Sequence, residues 1–203
     1  DVAEIVGGST PKTGVAEYWG GDIPWVTPAD LSKLESQFIA KTPRTITELG
    51  LRSSGARMLP TGSVLLSSRA PIGHVAITTV PMATNQGFKS LVPDMDRIEA
   101  KYMYWWLRCH KEYLNGLGVG ATFKEISKGI VSEVRIPLPP LPEQHRIASI
   151  LDGTNALRSY RMQTLKLIDD AFESEFSALM LRSGRQMSLA DAGVRFSSGK
   201  SLV

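Results

Sequence analysis

The sequence predicts an α+β fold: a globular domain with a small mixed β-sheet and helices, followed by one long α-helix of coiled-coil type. Three observations carry that prediction. Short apolar runs bounded by Gly, Pro, Ser and Thr turns recur through the first 141 residues. Four prolines fall within Ile136-Pro137-Leu138-Pro139-Pro140-Leu141-Pro142, a stretch that must be extended. Beyond Pro142 no proline interrupts the chain up to Arg182, and apolar residues return at helical spacing. The expected divisions are a domain at 1–141, a spacer or dimerisation helix at 142–183, and a tail at 184–203.

The elements follow in order. Ile5-Val6 is a short apolar piece that ends in the turn residues Gly7-Gly8-Ser9-Thr10-Pro11. Ile23-Pro24-Trp25-Val26 reads as an edge strand, since proline cannot donate to a ladder. Thr27 to Leu31 is a turn or a helix start. Ser63–Ser68, His74–Thr78 and Phe88–Val92 read as three strands close enough in sequence to pair. Ile98 to Asn115 has helical spacing at Tyr102, Trp105, Trp106, Cys109 and Tyr113, with Gly116 as its stop. Trp25, Trp105 and Trp106 are expected in the core. Thr122 and Glu125 have the spacing of a capping box, and Val134 to Leu138 reads as a last strand.

The stripe Ile147, Ile150, Leu151, Leu157, Leu165, Ile168, Phe172, Phe176 and Leu179 then runs along the helix, interrupted around Gly153-Thr154. Some ~40 residues at ~1.5 Å each make a helix of ~60 Å. Such a helix is longer than its own domain should be wide, so part of its stripe needs another helix. The tail from Leu189 to Ser201 echoes Asp1 to Thr10: both run from an Asp through small and apolar residues into a Gly/Ser turn.

Composition excludes several classes. The 203 residues are 42% hydrophobic, enough for one buried domain and a smaller element. A single cysteine, Cys109, excludes an internal disulfide framework or a multi-cysteine zinc site and fits a reducing cytoplasm. No apolar run reaches the ~18 residues of a membrane span, and no signal peptide is visible. The formal net charge is +3, with 5 basic against 6 acidic residues in 142–183. The long helix is therefore not a basic DNA-binding helix of the zipper type.

An ordered set of segments resembles the DNA specificity subunits of type I restriction-modification enzymes. It comprises Gly7-Gly8-Ser9-Thr10-Pro11, Tyr18-Trp19-Gly20-Gly21-Asp22-Ile23-Pro24-Trp25-Val26-Thr27-Pro28-Ala29-Asp30-Leu31 and Leu65-Leu66-Ser67-Ser68-Arg69-Ala70-Pro71-Ile72-Gly73. It continues with Thr84-Asn85-Gln86-Gly87-Phe88-Lys89, Gly120-Ala121-Thr122, and Ile136 to Gln144 leading into Ile147-Ala148. The resemblance implies that 1–141 is a target-recognition domain, one half of a reader with two such domains and two antiparallel helices. It further implies double-stranded DNA, a methyltransferase (modification) subunit and a restriction/translocase subunit as partners, and a cytoplasmic location. No cofactor is expected on this chain itself. The chain carries one recognition domain and one helix, so it is either a fragment or a half-size subunit that pairs with a copy of itself.

An amino-methyltransferase needs an Asn/Asp-Pro-Pro-aromatic loop, and Leu138-Pro139-Pro140-Leu141 offers neither amide nor aromatic. Gly116, Gly118 and Gly120 follow a helix rather than a strand, which fails the context of a dinucleotide loop. Asp94, Glu99 and Lys101 mimic a metal-dependent nuclease, yet Asp94, Asp96 and Glu99 suit a helix N-terminus better. His74, His110 and His145 show no ligand spacing, so no metal site is expected. A non-catalytic subunit is the expectation. The alternatives are a recognition domain cut from a single-chain methyltransferase-nuclease and a coiled-coil module without DNA function.

The candidate DNA contacts lie on loops. Arg69, between a strand and the Pro71/Gly73 turn, suits guanine or phosphate, with Ser68 beside it. Asn85, Gln86 and Lys89 cluster in a second loop, and Thr27 opens a third. Thr122, Lys124, Ser127 and Lys128 surround an expected helix N-terminus, a phosphate-binding geometry. Ile147, Leu151, Leu165, Ile168, Phe172 and Leu179 are the candidate partner contacts, with a homodimer through the helix as one possibility.

Overall fold

A computed structural model describes residues 1–69, 71–120, 124–182 and 191. The echo between Leu189 and Ser201 therefore lies outside the described residues, apart from Asp191. The chain divides into two units, Asp1–Asp152 and Gly153–Val203.

The first unit is α+β, built on two sheets. Strands β1 (Ala3–Gly7), β8 (Lys89–Pro93), β5 (Val64–Leu66), β6 (Val75–Thr78) and β3 (Phe38–Ile39) form one sheet in that order. All pairs are antiparallel except β3 with β6. The three strands expected to pair, here β5, β6 and β8, are adjacent at its centre. A second sheet holds β4 (Thr45–Ile46), β2 (Trp19–Val26) and β7 (Ala83–Thr84) in that order.

Strand β2 corrects one expectation, since it is central rather than an edge. Pro24 is tolerated because the two partners use different parts of the strand. The β4 pairing takes Trp19, Ile23 and Pro24 and includes a register shift, whereas β7 takes Trp25 and Val26. The strands β3, β4 and β7 were not anticipated; each is two residues long, too short to show a period.

Side-chain alternation explains how the main sheet packs. Val64 and Leu66 of β5 and Ile77 of β6 enter one core cluster, while Leu65 and Ala76 enter the other. The first cluster is closed by helix α3 (Ala100–Cys109), which contributes Tyr102, Met103, Trp105 and Leu107. The second is filled around Phe88, with Val26, Leu31, Leu59 and Met82. A strand buried on both faces reads as a continuous apolar run, as Val64-Leu65-Leu66 does.

The helix expected at 98–115 is two helices, α3 and α4 (Lys111–Gly116). The break is at His110, whose φ of −104° and ψ of 25° leave the helical region. Cys109 is exposed and Tyr113 half exposed, so these two do not join the stripe expected of them. Trp25 and Trp105 are buried, and Trp106 packs half-buried against the first cluster. Glu99 is the N-cap of α3 and accepts the Tyr102 N–H at 2.6 Å. Lys101 of the nuclease-like triplet is engaged elsewhere, on Asp152 at 2.8 Å.

Residues 134–138 form no strand, which is a second correction. Val134 and Ile136 pack on the core, and Tyr102 Oη donates to the Pro137 carbonyl at 3.0 Å. Helix α6 (Leu141–Arg182) starts at Leu141, capped through the Pro140 carbonyl by the N–H groups of Glu143 and Gln144. Pro142 sits in its first turn, where a missing N–H has no partner to lose.

The compact unit extends to Asp152 rather than ending at 141, because the first turns of α6 belong to it. Ala148 is buried in the first cluster, and Ile147 and Leu151 pack against it. Gln144 is fully buried, and its side chain makes three bonds to backbone groups of Glu99, Arg97 and Pro139. Asp152 accepts from Lys101 Nζ and from Trp105 Nε1, both at 2.8 Å.

Partial burial would raise the Asp152 carboxyl, but the bonds from Lys101 and Trp105 and the lysine charge outweigh it and hold the group below its ordinary value. The folded pKa is then below the unfolded one. The stabilisation is present above the ordinary carboxylate range and lost as pH falls through the lowered value. Asp152→Asn should therefore be less stable than wild type at neutral pH, and the gap should close in acid. Urea midpoints across that range measure it; a gap that stays constant would remove the anchor.

In the second unit, residues 153–182 continue α6, and nearly every side chain described there is exposed. No helix among the described residues is long and apolar enough to cross a membrane.

Candidate nucleic-acid interface

Arg69 leaves the end of β5 through a tightly bonded turn. The Ser67 hydroxyl donates to the Pro71 carbonyl and accepts from the His74 N–H, both at 2.8 Å. Gly73, at φ 87°, closes that turn in the left-handed region. Ser68 is fully buried: its N–H donates to the Gly87 carbonyl at 2.7 Å and its carbonyl accepts from Ile126 N–H at 2.8 Å. The strip continues with an antiparallel bridge between Arg69 and Glu125, and a second between Glu125 and Val119. Backbone pairing therefore brings residues 69, 89 and 125 together.

Their side chains form one ionic cluster. Arg69 Nε donates to Glu125 Oε2 at 2.9 Å, and Lys89 Nζ to Glu125 Oε1 at 3.1 Å and Ser68 Oγ at 3.4 Å. Partial burial alone would push the Glu125 carboxyl up; the bonds and charges of Lys89 and Arg69 hold it below its ordinary value. Glu125 is thus ionised at neutral pH and leaves the trio with one net positive charge.

A second cluster assembles beside β7. Gly8 touches the backbone of the 84–85 turn so closely that a Cβ there would lie 2.0 Å from the Asn85 carbonyl oxygen. Ser9 N–H donates to the Thr84 carbonyl at 2.9 Å, and the Thr10 hydroxyl donates to Gln86 Oε1. Trp25 Nε1 holds the Ser9 carbonyl at 3.0 Å, while Arg44 lies 3.9 Å over the Trp19 ring and 5.0 Å from that of Trp25. Asn85 N–H donates to the Val26 carbonyl, and its own Oδ1 accepts from Gly87 N–H at 2.9 Å.

These contacts sort the candidates. Arg69 and Gln86 remain exposed. Asn85 is half-buried with its oxygen committed to a turn. Lys89 is mostly enclosed, with 15% of its side chain exposed. Ser68 is buried and reaches no solvent, which corrects its selection. Thr27 is also spent: the Asp30 carboxylate accepts both its N–H and its hydroxyl at 2.7 Å, at the start of α1 (Pro28–Ser32).

Thr122 lies outside the described residues. Its expected capping partner Glu125 is in no helix and faces Arg69 and Lys89 instead. The helix that follows, α5 (Lys128–Ser132), is a single turn capped by Ser127, so the expected phosphate site at its start is not supported. Lys124 is exposed beside Glu125. Lys128 borders a groove along Val2, Glu4 and Ile5, where its charge acts on Glu4. Thr10 and Glu125 enter these clusters through partners more than 30 residues away, which no local pattern reveals.

The candidate partner residues divide between the units. Ile147 and Leu151 are partly buried against the core of the first unit. Leu165, Ile168, Phe172 and Leu179, in the second, are exposed, and the rings of Phe172 and Phe176 stack 6.4 Å apart.

A family model described as the type I restriction modification DNA specificity domain matches residues 1–183. The chain belongs to this family. Among its relatives, the MjaIX specificity subunit of Methanocaldococcus jannaschii is 44% identical over 153 residues, which cover 74% of this chain and 35% of the relative. The EcoR124I/EcoR124II specificity subunit of Escherichia coli is 28% identical over 170 residues, covering 77% and 40%. The specificity-family chain thus spans less than half the length of these relatives.

Solved structures agree. The HsdS subunit from Thermoanaerobacter tengcongensis aligns with a TM-score of 0.59 and 25% identity, covering 78% of this chain and 36% of that one. A chain from work on complex assembly and conformational transition of the type I restriction-modification system gives 0.63 and 27%, covering 88% and 41%. These likenesses support the α+β recognition domain with its long helix. The relatives are named for specificity, and that role is recognition rather than catalysis.

Proposed function

We propose that this chain is a non-catalytic, sequence-specific DNA-recognition unit of a type I restriction-modification system, directing partner methyltransferase and restriction subunits to their site. The observation that carries the reading is Arg69: a half-exposed guanidinium beyond the end of a buried strand, its backbone bridged to Glu125. That bridge matters because base readout needs a donor fork in fixed register. Gln86, fixed by Thr10, supplies a second exposed polar group on a neighbouring loop.

Partner binding is proposed for the exposed apolar residues of α6. Leu165, Ile168, Phe172 and Leu179 recur at spacings that suit a facing helix, either of a second copy or of a partner subunit. A homodimer through this helix would supply two recognition domains.

Arg69→Ala is expected to weaken binding to the target duplex about tenfold more than binding to unrelated duplex, since a good base contact contributes ~1–3 kcal/mol of discrimination. Titrations of both duplexes at several salt concentrations measure it. An equal loss on both would reduce Arg69 to a phosphate contact.

A further inference from the structure

We propose that Glu125 is a positioning residue for base recognition: its carboxylate grips Arg69 at Nε and Lys89 at Nζ, so that the two terminal nitrogens of Arg69 present a fixed fork to a guanine edge. This deepens the DNA-reading role proposed above and rests on it.

The geometry points to a fork held from behind. Glu125 Oε2 takes Nε of Arg69, the nitrogen nearest the chain, at 2.9 Å. Among the described residues the two terminal nitrogens have no bond, and 46% of the side chain is exposed. Both residues are fixed at the backbone by their mutual bridge, so the carboxylate cannot drift with the side chain it holds. The other oxygen, Oε1, is taken by Lys89, which stays enclosed and so spends its charge on Glu125 rather than on solvent.

The same arrangement argues against a phosphate contact. Phosphate binding draws mainly on net positive charge. A carboxylate placed against both cations removes part of that charge while leaving the donor geometry of the guanidinium intact. Guanine offers O6 and N7 as paired neutral acceptors in the major groove, which match a two-nitrogen fork. An arginine needed only for phosphate would be weakened by Glu125; an arginine needed for base readout is ordered by it.

The test uses the full chain in complex with its methyltransferase partner. The probes are a duplex library with a randomised core, sequenced after binding, and a duplex of alternating A·T pairs, which holds no guanine. Wild type should enrich a motif containing a G·C pair that Arg69→Lys no longer selects. Glu125→Gln should lose preference at that same pair by about tenfold. It should also bind the A·T duplex more tightly and with a steeper salt dependence, because one negative charge has gone. These two changes have opposite signs, which mere loosening of the domain would not give. Thermal melting checks the fold, and Arg69→Lys, at an exposed side chain, supports the same position if Glu125→Gln fails to fold. Preference retained by Glu125→Gln, or lost evenly at every position, would overturn the positioning role. Preference retained by Arg69→Lys would overturn the fork. A wild type that enriches no sequence would instead overturn the DNA-reading role itself.

Discussion

Replacing Gln144 with leucine is expected to destabilise the recognition domain by about 3 kcal/mol, although leucine nearly matches it in size. Gln144 has no exposed surface. Its Oε1 accepts the Glu99 N–H at 2.9 Å, and its Nε2 donates to the carbonyls of Arg97 at 3.0 Å and Pro139 at 2.8 Å. Leucine would leave one backbone donor and two acceptors without these bonds. A buried orphan costs about 1–3 kcal/mol each, and partial relaxation brings the total below the simple sum. One side chain thereby ties three segments: the turn before α3, the proline stretch and the first turn of α6. Gln144→Glu should be worse than leucine, since a carboxylate would face two carbonyls with nothing to donate. Denaturant unfolding followed by tryptophan fluorescence measures both, with an unchanged slope expected. A loss under about 1 kcal/mol for leucine would mean that water or rearrangement satisfies these groups.

The paired substitution Ile168→Asp with Phe172→Asp is expected to abolish assembly through α6 while leaving the first unit folded. Phe172 is 72% exposed and Ile168 58%, so neither supports a core among the described residues. Burying such side chains against another helix contributes about 1.5–3 kcal/mol each. Reversing two of them, and forcing carboxylates into an apolar seam, should raise the dissociation constant by a factor of about a thousand or more. Light scattering of the isolated chain and co-purification with the methyltransferase subunit together decide the matter. Unchanged mass with intact partner binding would show that this stripe is not the contact. The same variant should melt like wild type in the signal of Trp25 and Trp105, which lie in the first unit.

Much of the architecture was legible from local pattern. The run Val64-Leu65-Leu66 and its neighbours β6 and β8 were readable because each is an apolar stretch closed by turn residues. Helix α6 was readable because the last proline, Pro142, falls in its first turn and none follows. Val134–Leu138 misled for an instructive reason: Val134 and Ile136 do pack on the core, but without a strand ladder, and Leu138 is exposed. The 98–115 helix misled at His110, where apolar spacing continues although the backbone turns aside.

The sequence by itself determined the fold class, the long helix that follows the proline stretch, the apolar stripe along it, and Arg69 and Gln86 as polar residues between strands. These depend on propensity and period, which act over a few residues. Only the tertiary structure decided which polar residues were already spent. It buried Ser68, committed Thr27 to Asp30 and turned Ile147 and Leu151 inward. It also brought Glu125 to Arg69, 56 positions away in the chain. A hydrogen-bonding group has the same chemistry wherever it stands in the sequence. Whether it faces solvent or a partner is set by strand pairing between distant segments, and that pairing forms only when the whole domain folds.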